Sequence, residues 1–225
     1  MGEKGIIIAV DGPASSGKGT VSRQVAAELG YTYLDSGALY RVVALLASRR
    51  GVHHDAGEEL AAMIRQLRLE MSWSQGRLWV KADGEELGEK IRTEEVGQGA
   101  SRVSKQPAVR AALLQLQRDL AAQGGVVMDG RDIGTVVFPG AELKIFLDAD
   151  LDERARRRAL ELEGRGVKAE VADVRADIAA RDAQDSNRDV APLRCADDGV
   201  RIDTTGLTPE EATGEIVVLA RLRGA

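Results

Sequence analysis

A short apolar run, Ile6–Val10, leads straight into Asp11-Gly12-Pro13-Ala14-Ser15-Ser16-Gly17-Lys18-Gly19-Thr20, and a helical pattern follows. The run is continuous and rich in β-branched residues, which predicts a fully buried strand. From about Gly17 the spacing changes: Val21, Val25 and Leu29 recur one turn apart until Gly30 stops them. A strand, a tight glycine loop and a helix in that order place the chain among sheets whose strands alternate with helices.

The loop fits the template Gly-x4-Gly-Lys, the P-loop. Glycines let backbone N–H groups turn inward with no Cβ in the way. A helix starting near Gly17 adds partial positive charge and unpaired donors, and Lys18 adds a mobile full charge. Gly12, Pro13, Ala14, Ser15, Ser16, Gly17, Lys18, Gly19 and Thr20 are therefore expected to form a phosphate cradle. The general template puts Ser or Thr directly after the lysine to reach Mg²⁺. Here Gly19 stands there and Thr20 follows, so Thr20 is the candidate metal contact.

Further apolar runs predict buried strands at Thr32–Leu34, Val126–Met128, Leu143–Leu147 and Val200–Ile202. Helical patterns separate them at Ala38–Ser48, Ala108–Ala122, Asp152–Leu162, Glu170–Asp182 and Pro209–Leu222. The expected architecture is α/β: a parallel five-stranded sheet flanked by helices, with the loop at the carboxyl end of the first strand, where open sheets bind ligands. A chain of 225 residues is long enough for one such domain with an insertion. Residues 67–90 break the alternation. Leu67, Leu69, Met71 and Trp73 alternate with polar residues, Ser74-Gln75-Gly76 and Asp83-Gly84 turn the chain, and a small antiparallel sheet is expected. Surface decoration and a substrate-clamping segment are equal readings of it.

The net charge of −5 carries no basic footprint of a general nucleic-acid binder. One cysteine, Cys195, forms no intrachain disulfide and suits a reducing cytosol. No apolar stretch approaches a membrane span, and the early first strand leaves no room for a signal peptide, so a cytoplasmic location is expected. His53 and His54 with one cysteine make no convincing metal site and read as exposed turn residues after Gly51.

Charged residues gather where the strands should end. "LDSGALYR" places Ser36, Tyr40 and Arg41 just past the second strand, and "VVMDGRDIGTVV" offers Asp129, Arg131 and Asp132 after the third. Asp129 is the candidate for holding Mg²⁺ through water. Asp148, closing "KIFLD", reads better as a turn or capping residue. Arg131 either meets phosphate or pairs with Asp129 or Asp132. Arg181, Asp185 and Arg188 fall on one helical face, as a solvated stripe or as a site, with Pro192 ending the helix. Arg154, Arg156, Arg157, Arg158 and Arg165 mark either a solvated helix or a lid over the nucleotide.

These arginines bear on the acceptor. A sugar-like hydroxyl needs a base; a phosphate acceptor is already anionic at pH 7, since its second pKa is about 6. Many cations and no plausible catalytic histidine favour the phosphate acceptor.

In order and spacing, "DGPASSGKGT", "LDSGALYR", "DGRDIGTVVFP", "KIFLDA" and "RDAQDSNRDVAPL" resemble the bacterial cytidylate kinases of the nucleoside monophosphate kinase group, over nearly the whole chain. The resemblance implies a P-loop kinase fold with a helical lid, and direct in-line transfer of the ATP γ-phosphoryl group to CMP or dCMP. It implies that Lys18 and the backbone from Ala14 to Thr20 hold the ATP phosphates, with Arg157 and Arg158 as lid candidates. Ser36, Arg41, Arg131 and Arg188 would surround the acceptor phosphate, with Tyr40 beside them. Arg181 and Asp185 would reach the sugar, and Ser101, Arg110 and Asp132 would read cytosine. Residue by residue, Ser101 is otherwise a polar helix residue and Arg110 a surface arginine. The core is expected at 1–35, 105–150 and 195–225, the acceptor-nucleotide segment at about 36–104, and the lid with its following helix at about 152–190. Small-molecule nucleotides are the expected partners, with no nucleic acid, membrane or protein partner.

The nearest rival is another small P-loop kinase acting on UMP, AMP or shikimate. A GTPase switch would need Asn-Lys-x-Asp, and the only asparagine, Asn187, precedes Arg188. A nucleotide-binding regulator without turnover would have no need of the full set of Lys18, Asp129 and arginines.

Overall fold

The computed structural model describes residues 5–74, 77–164 and 166–225. Arg165 and the Gln75-Gly76 part of the expected turn lie outside the described residues. The first half of the chain runs β1 (Ile7–Asp11), α1 (Lys18–Leu29), β2 (Thr32–Asp35), α2 (Ser36–Arg50), α3 (Gly57–Gln66), β3 (Leu69–Ser74), β4 (Arg77–Ala82) and β5 (Glu85–Glu86). A 3-10 turn at Gly88–Arg92 leads to α4 (Glu94–Val103), α5 (Pro107–Leu120) and β6 (Val126–Gly130). After a π turn at Ile133–Val137 come β7 (Leu143–Asp148), α6 (Leu151–Gly164), α7 (Val171–Ser186), β8 (Val200–Asp203) and α8 (Pro209–Leu222).

The main sheet has five strands in the order β2-β6-β1-β7-β8, and β3-β4-β5 form a separate antiparallel sheet. β1 is central. It pairs in parallel with β6, placing Val10 opposite Asp129 and Asp11 opposite Gly130, and with β7 on its other edge. Central parallel strands are covered on both faces, which is why Ile8, Ala9 and Val10 are fully buried and why the run is apolar without alternation.

The chain divides into two compact units, Met1–Tyr31 with Gly125–Ala225, and Thr32–Gly124. In the first, β1, β6, β7 and β8 bury Ile8, Val127, Met128, Leu143, Ile145 and Leu147. Helix α8 starts on a capping box: Thr208 accepts from Glu211 N while the Glu211 carboxylate accepts from Thr208 N, and Pro209 takes the first helical position. In the second unit, Leu39, Val42, Val43 and Leu46 of α2 pack with Leu60 and Ile64 of α3, Val103 of α4 and Leu113 of α5. The small sheet shows the expected alternation: Val80 and Ala82 are buried, and Lys81 between them is exposed.

Three local expectations change. The helices α3 and α4 lie where the sequence reading placed none. Their cores rest on Leu60, Ala61 and Ile64 and on Val96, Ala100 and Val103, spaced by three or four residues. His54 is half-buried rather than an exposed turn residue: Nε2 lies 3.1 Å from both Ser48 Oγ and Ala44 O, and a Cβ built on Gly99 would sit 2.7 Å from its ring. The glycine at 99 thus makes room for that imidazole. Finally, α7 ends at Ser186, well before Pro192. The Asp185 carbonyl is taken by Leu193 N at 2.8 Å and by Arg188 Nε at 3.2 Å, so Arg188 stands beyond the helix, not on its face.

Candidate active site

The loop between β1 and α1 is shaped by close backbone packing. A Cβ built on Gly12 would lie 2.1 Å from the Leu147 carbonyl oxygen, so only glycine fits there. Gly17, at φ +84°, turns the chain into α1, and its carbonyl accepts from Thr20 N at 3.0 Å and Val21 N at 3.1 Å. Ser15 is also left-handed, at φ +60°. Ser16 Oγ is buried with no hydrogen-bond partner among the described residues. An orphaned hydroxyl in a loop that excludes a Cβ fits a site completed by ligand.

Two ends of the expected phosphate cradle are otherwise engaged. Ala14 N donates to Asp182 Oδ1 at 3.1 Å, and Thr20 N donates back to Gly17 O. Pro13 has no N–H and gives its carbonyl to Lys18 Nζ at 3.0 Å. The Ala14 N–H is thus satisfied by a carboxylate and the Thr20 N–H by a loop carbonyl.

Lys18 is buried at the start of α1. Burial, followed by the positive charge of Arg131, pushes its ammonium down to about 7, against the pull of Asp129 and Asp185; Arg181 also lowers it. The fold gathers four charges around the lysine: Asp129 and Arg131 at the end of β6, and Arg181 and Asp185 from α7. Arg131 Nε donates to Asp185 Oδ2 at 2.8 Å, and Arg188 Nη2 lies 3.2 Å from Asp185 Oδ1. Burial works against the Asp185 carboxylate, but Arg131, Arg188 and Arg181 together hold its pKa below the usual range. Arg131 thus pairs with Asp185, a partner the sequence reading did not offer.

A carboxylate that sequence reasoning passed over sits at the base of this cluster. Asp11 accepts from Ile133 N and Gly134 N, each at 2.8 Å, and so straps the π turn to the end of β1. Burial raises its pKa to about 6, against those two hydrogen bonds. The signal was its place one residue before Gly12 at the end of an apolar strand. Asp132 is buried at the entry to the same turn, its carbonyl accepting from Val136 N and Val137 N.

Thr204, also passed over, follows β8. Its hydroxyl lies 3.2 Å from the Ser16 carbonyl and 3.0 Å from the Asp148 carbonyl. Arg157 reaches it through Nη1 to the hydroxyl at 3.2 Å and Nη2 to the carbonyl at 2.6 Å, while its Nε donates to Glu153 at 2.8 Å. Arg158 instead pairs with Glu161 at 2.8 Å. Arg156 forms a second ion pair on Glu153 at the surface, and Arg154 is buried. Asp148 pairs with Arg201 at 2.9 Å, and Asp150 caps α6 by accepting from Asp152 N at 2.8 Å.

In the second unit, Asp35 caps α2 by accepting from Ala38 N at 3.1 Å. That start presents Ser36, Tyr40 and Arg41 on the first turns. The Arg41 guanidinium donates to the Ile91 carbonyl at 3.4 Å. Arg110 on α5 is not a surface arginine: it is buried, 5.7 Å above the Tyr40 ring, and donates to the Ser104 carbonyl at 3.3 Å. Ser101 lies on α4, its carbonyl accepting from Ser104 Oγ at 3.0 Å.

The carboxylates near the loop do not form a ready-made metal cage. Among the described residues there is no group of three or more His, Cys, Asp or Glu placed to hold an ion. Asp129, buried at the end of β6, and the Thr20 hydroxyl, which accepts from Arg23 at 3.2 Å, are the candidate ligands. One carboxylate and one hydroxyl fit Mg²⁺, which keeps several waters and completes its shell with substrate phosphates.

A parallel sheet, a glycine loop with a buried lysine, and an arginine–carboxylate cluster beside it define a P-loop phosphotransferase. The family model for Cytidylate kinase matches residues 8–222, and the chain belongs to the cytidylate kinase family. It is 50% identical over 211 residues to a cytidylate kinase of Chromobacterium violaceum, covering 94% of this chain and 93% of that one. It is 45% identical over 222 residues to one of Geobacter sulfurreducens, covering 99% and 95%. A solved structure of an uncharacterized protein from Eubacterium ventriosum shares the fold, with a TM-score of 0.51 at 12% identity, over 96% of this chain and 98% of that one. Among the described residues no helix is long and apolar enough to cross a membrane.

Proposed function

We propose that the chain transfers the γ-phosphoryl group of ATP to CMP and dCMP by direct in-line displacement. The observation that carries this reading is the cluster of Lys18, Asp129, Arg131, Arg181 and Asp185 beside the phosphate loop, in a member of the cytidylate kinase family. Two polyanions must be held together while charge moves between them, and that work is positioning and neutralisation. The acceptor phosphate is already anionic, so no residue is assigned as a general base.

Lys18 and the backbone from Ser15 to Gly19 hold the ATP phosphates, with Arg157 and Arg158 on the donor side. Asp129, through water, and Thr20 would hold Mg²⁺, which would supply charge neutralisation for the phosphoryl transfer when bound. Arg131 and Arg188 grip the acceptor phosphate, and Ser36, Tyr40 and Arg41 are assigned to the same nucleotide. Asp185 and Arg181 take the sugar. Ser101, Arg110 and Asp132 read the cytosine edge: a carboxylate and a hydroxyl suit the exocyclic amine, and an arginine suits the carbonyl and ring nitrogen. Residues about 36–104 serve the monophosphate and about 152–190 cover the donor. The setting is taken to be cytoplasmic.

Coupled ADP release with CMP, dCMP, UMP, AMP and shikimate tests the reading. Turnover with the cytidine nucleotides well above the rest is expected; preference for UMP, AMP or shikimate overturns it. Asp132→Ala should lower the efficiency with CMP more than it weakens ATP binding and narrow the gap to UMP, because a buried partner is left unpaired. Lost ATP affinity with intact CMP preference would move Asp132 to the donor side.

A further inference from the structure

Ala14 is held on three sides by the two helices that follow β7. Its N–H donates to Asp182 Oδ1 at 3.1 Å, and its carbonyl accepts from Arg154 Nη1 at 3.1 Å. The same Nη1 donates to Asp182 Oδ2, and Arg154 Nε donates to the Ala149 carbonyl at 2.9 Å. The Ala14 methyl packs with Ala155 of α6 and with Val174 and Ile178 of α7. The side chains of Arg154 and Asp182 are only 8% and 18% exposed.

A buried ion pair is weak support for stability, since apolar residues of similar size often do as well. This pair does something an apolar pair does not: it satisfies both the donor and the acceptor of one loop residue. That residue immediately precedes Ser15, whose left-handed backbone is one that L side chains rarely adopt and that persists only where its surroundings impose it. We propose that Arg154 and Asp182 are positioning residues for the donor nucleotide: by gripping Ala14 they fix the turn at Ser15 and aim the N–H groups of Ser15–Gly19 at the phosphates of ATP. They act through Ala14, and the proposal rests on the reading that this loop holds the ATP phosphates.

The test compares Asp182→Ala, Asp182→Asn, Arg154→Met and Arg154→Lys in the full chain. Binding of a non-hydrolysable ATP analogue is measured by calorimetry, and KM for ATP and for CMP and kcat are measured separately. Amide exchange over residues 11–20 and a thermal melt are recorded beside them. Asp182→Ala and Arg154→Met should weaken the analogue by between about tenfold and a hundredfold and raise KM for ATP, because donors that are misplaced lose most of their effect. KM for CMP should stay near the wild-type value, and exchange should rise in the loop while the rest of the chain stays protected. Asp182→Asn keeps an oxygen for the Ala14 N–H and should recover part of the affinity; it and Arg154→Lys carry the comparison where the harsher variants do not fold. Unchanged analogue affinity, or exchange rising uniformly with a lowered melting point, overturns the proposal and leaves a structural ion pair. A wild-type chain that binds no ATP analogue overturns the phosphate reading of the loop instead, and the exchange pattern still decides for or against the grip on Ala14.

Discussion

Arg131 Nε donates to Asp185 Oδ2 at 2.8 Å, joining residues 54 positions apart in the chain. Arg188 Nη2 lies 3.2 Å from the other oxygen, so one carboxylate orients two guanidinium groups.

Arg188→Met tests that arrangement. Methionine keeps an unbranched stem, so charge is the main variable. Both side chains of the Arg188–Asp185 pair are buried, and although Asp185 keeps Arg131, the melt should fall by about 3 kcal/mol of stability. The efficiency with CMP should drop at least roughly tenfold with ATP affinity largely spared. Steady-state kinetics with CMP varied, run beside the melt, decide it; normal kinetics with a lowered melting point would return Arg188 to a structural role.

Lys18 should make ATP binding pH-dependent. In the free protein its pKa lies at about 7, and a bound polyphosphate favours the charged form. Binding then takes up a proton, and affinity should fall as pH rises from about 7. Calorimetry in buffers of different ionisation enthalpy reads the uptake; Lys18→Met should abolish the part that belongs to the lysine. Lys18→Ala should lower turnover roughly 100-fold or more with the fold intact. An unchanged turnover number would remove Lys18 from the mechanism.

Asp11 affects stability in the opposite sense from most aspartates. Its folded pKa is raised from 3.8 to about 6, so the folded chain binds the proton more tightly than the unfolded one. The stability this group contributes is complete below about 3.8 and is lost as pH rises through about 6, a change on the order of 3 kcal/mol. In Asp11→Asn that loss is absent. The wild type's advantage in melting temperature over the variant should be largest near pH 4 and shrink by pH 7. A gap that stays constant across that range would show that burial does not perturb this carboxylate.

Gly12→Ala and Gly30→Ala separate crowding from backbone strain. The first places a methyl group 2.1 Å from the Leu147 carbonyl oxygen and should displace the loop, costing roughly 1–3 kcal/mol and abolishing nucleotide binding. The second has φ +69° with nothing within 4 Å and should cost about 1 kcal/mol or more of stability while leaving kinetics unchanged. Retained ATP affinity in Gly12→Ala would mean that the loop tolerates the shift.

Much of this molecule is legible because its signals are local. The run Ile6–Val10, the glycines that follow it and the Thr208-x-x-Glu211 box each carry their structure in a few residues, and α8 starts and stops where its spacing says. The antiparallel insertion also shows itself, through alternation and the Asp83-Gly84 turn. What was hidden depends on distant partners. Nothing near Arg110 announces that Tyr40 lies beneath it, and Asp11 reads as a strand end until Ile133 and Gly134 arrive from 122 and 123 residues away. The early end of α7 depends on Leu193 N claiming the Asp185 carbonyl, which no helical periodicity contains. Ala14 looked like one more donor in a phosphate cradle because the residue that takes its N–H is 168 positions on.

The hydroxyl of Thr204 reaches the carbonyl of Ser16 across 188 residues. During synthesis the glycine loop is made long before the residue that braces it. Strand β8 must be made and added to the sheet before Thr204 can reach Ser16, and such long-range closures come late and slowly. A growing chain that carries the whole glycine loop therefore still lacks a finished loop until Thr204 has been added.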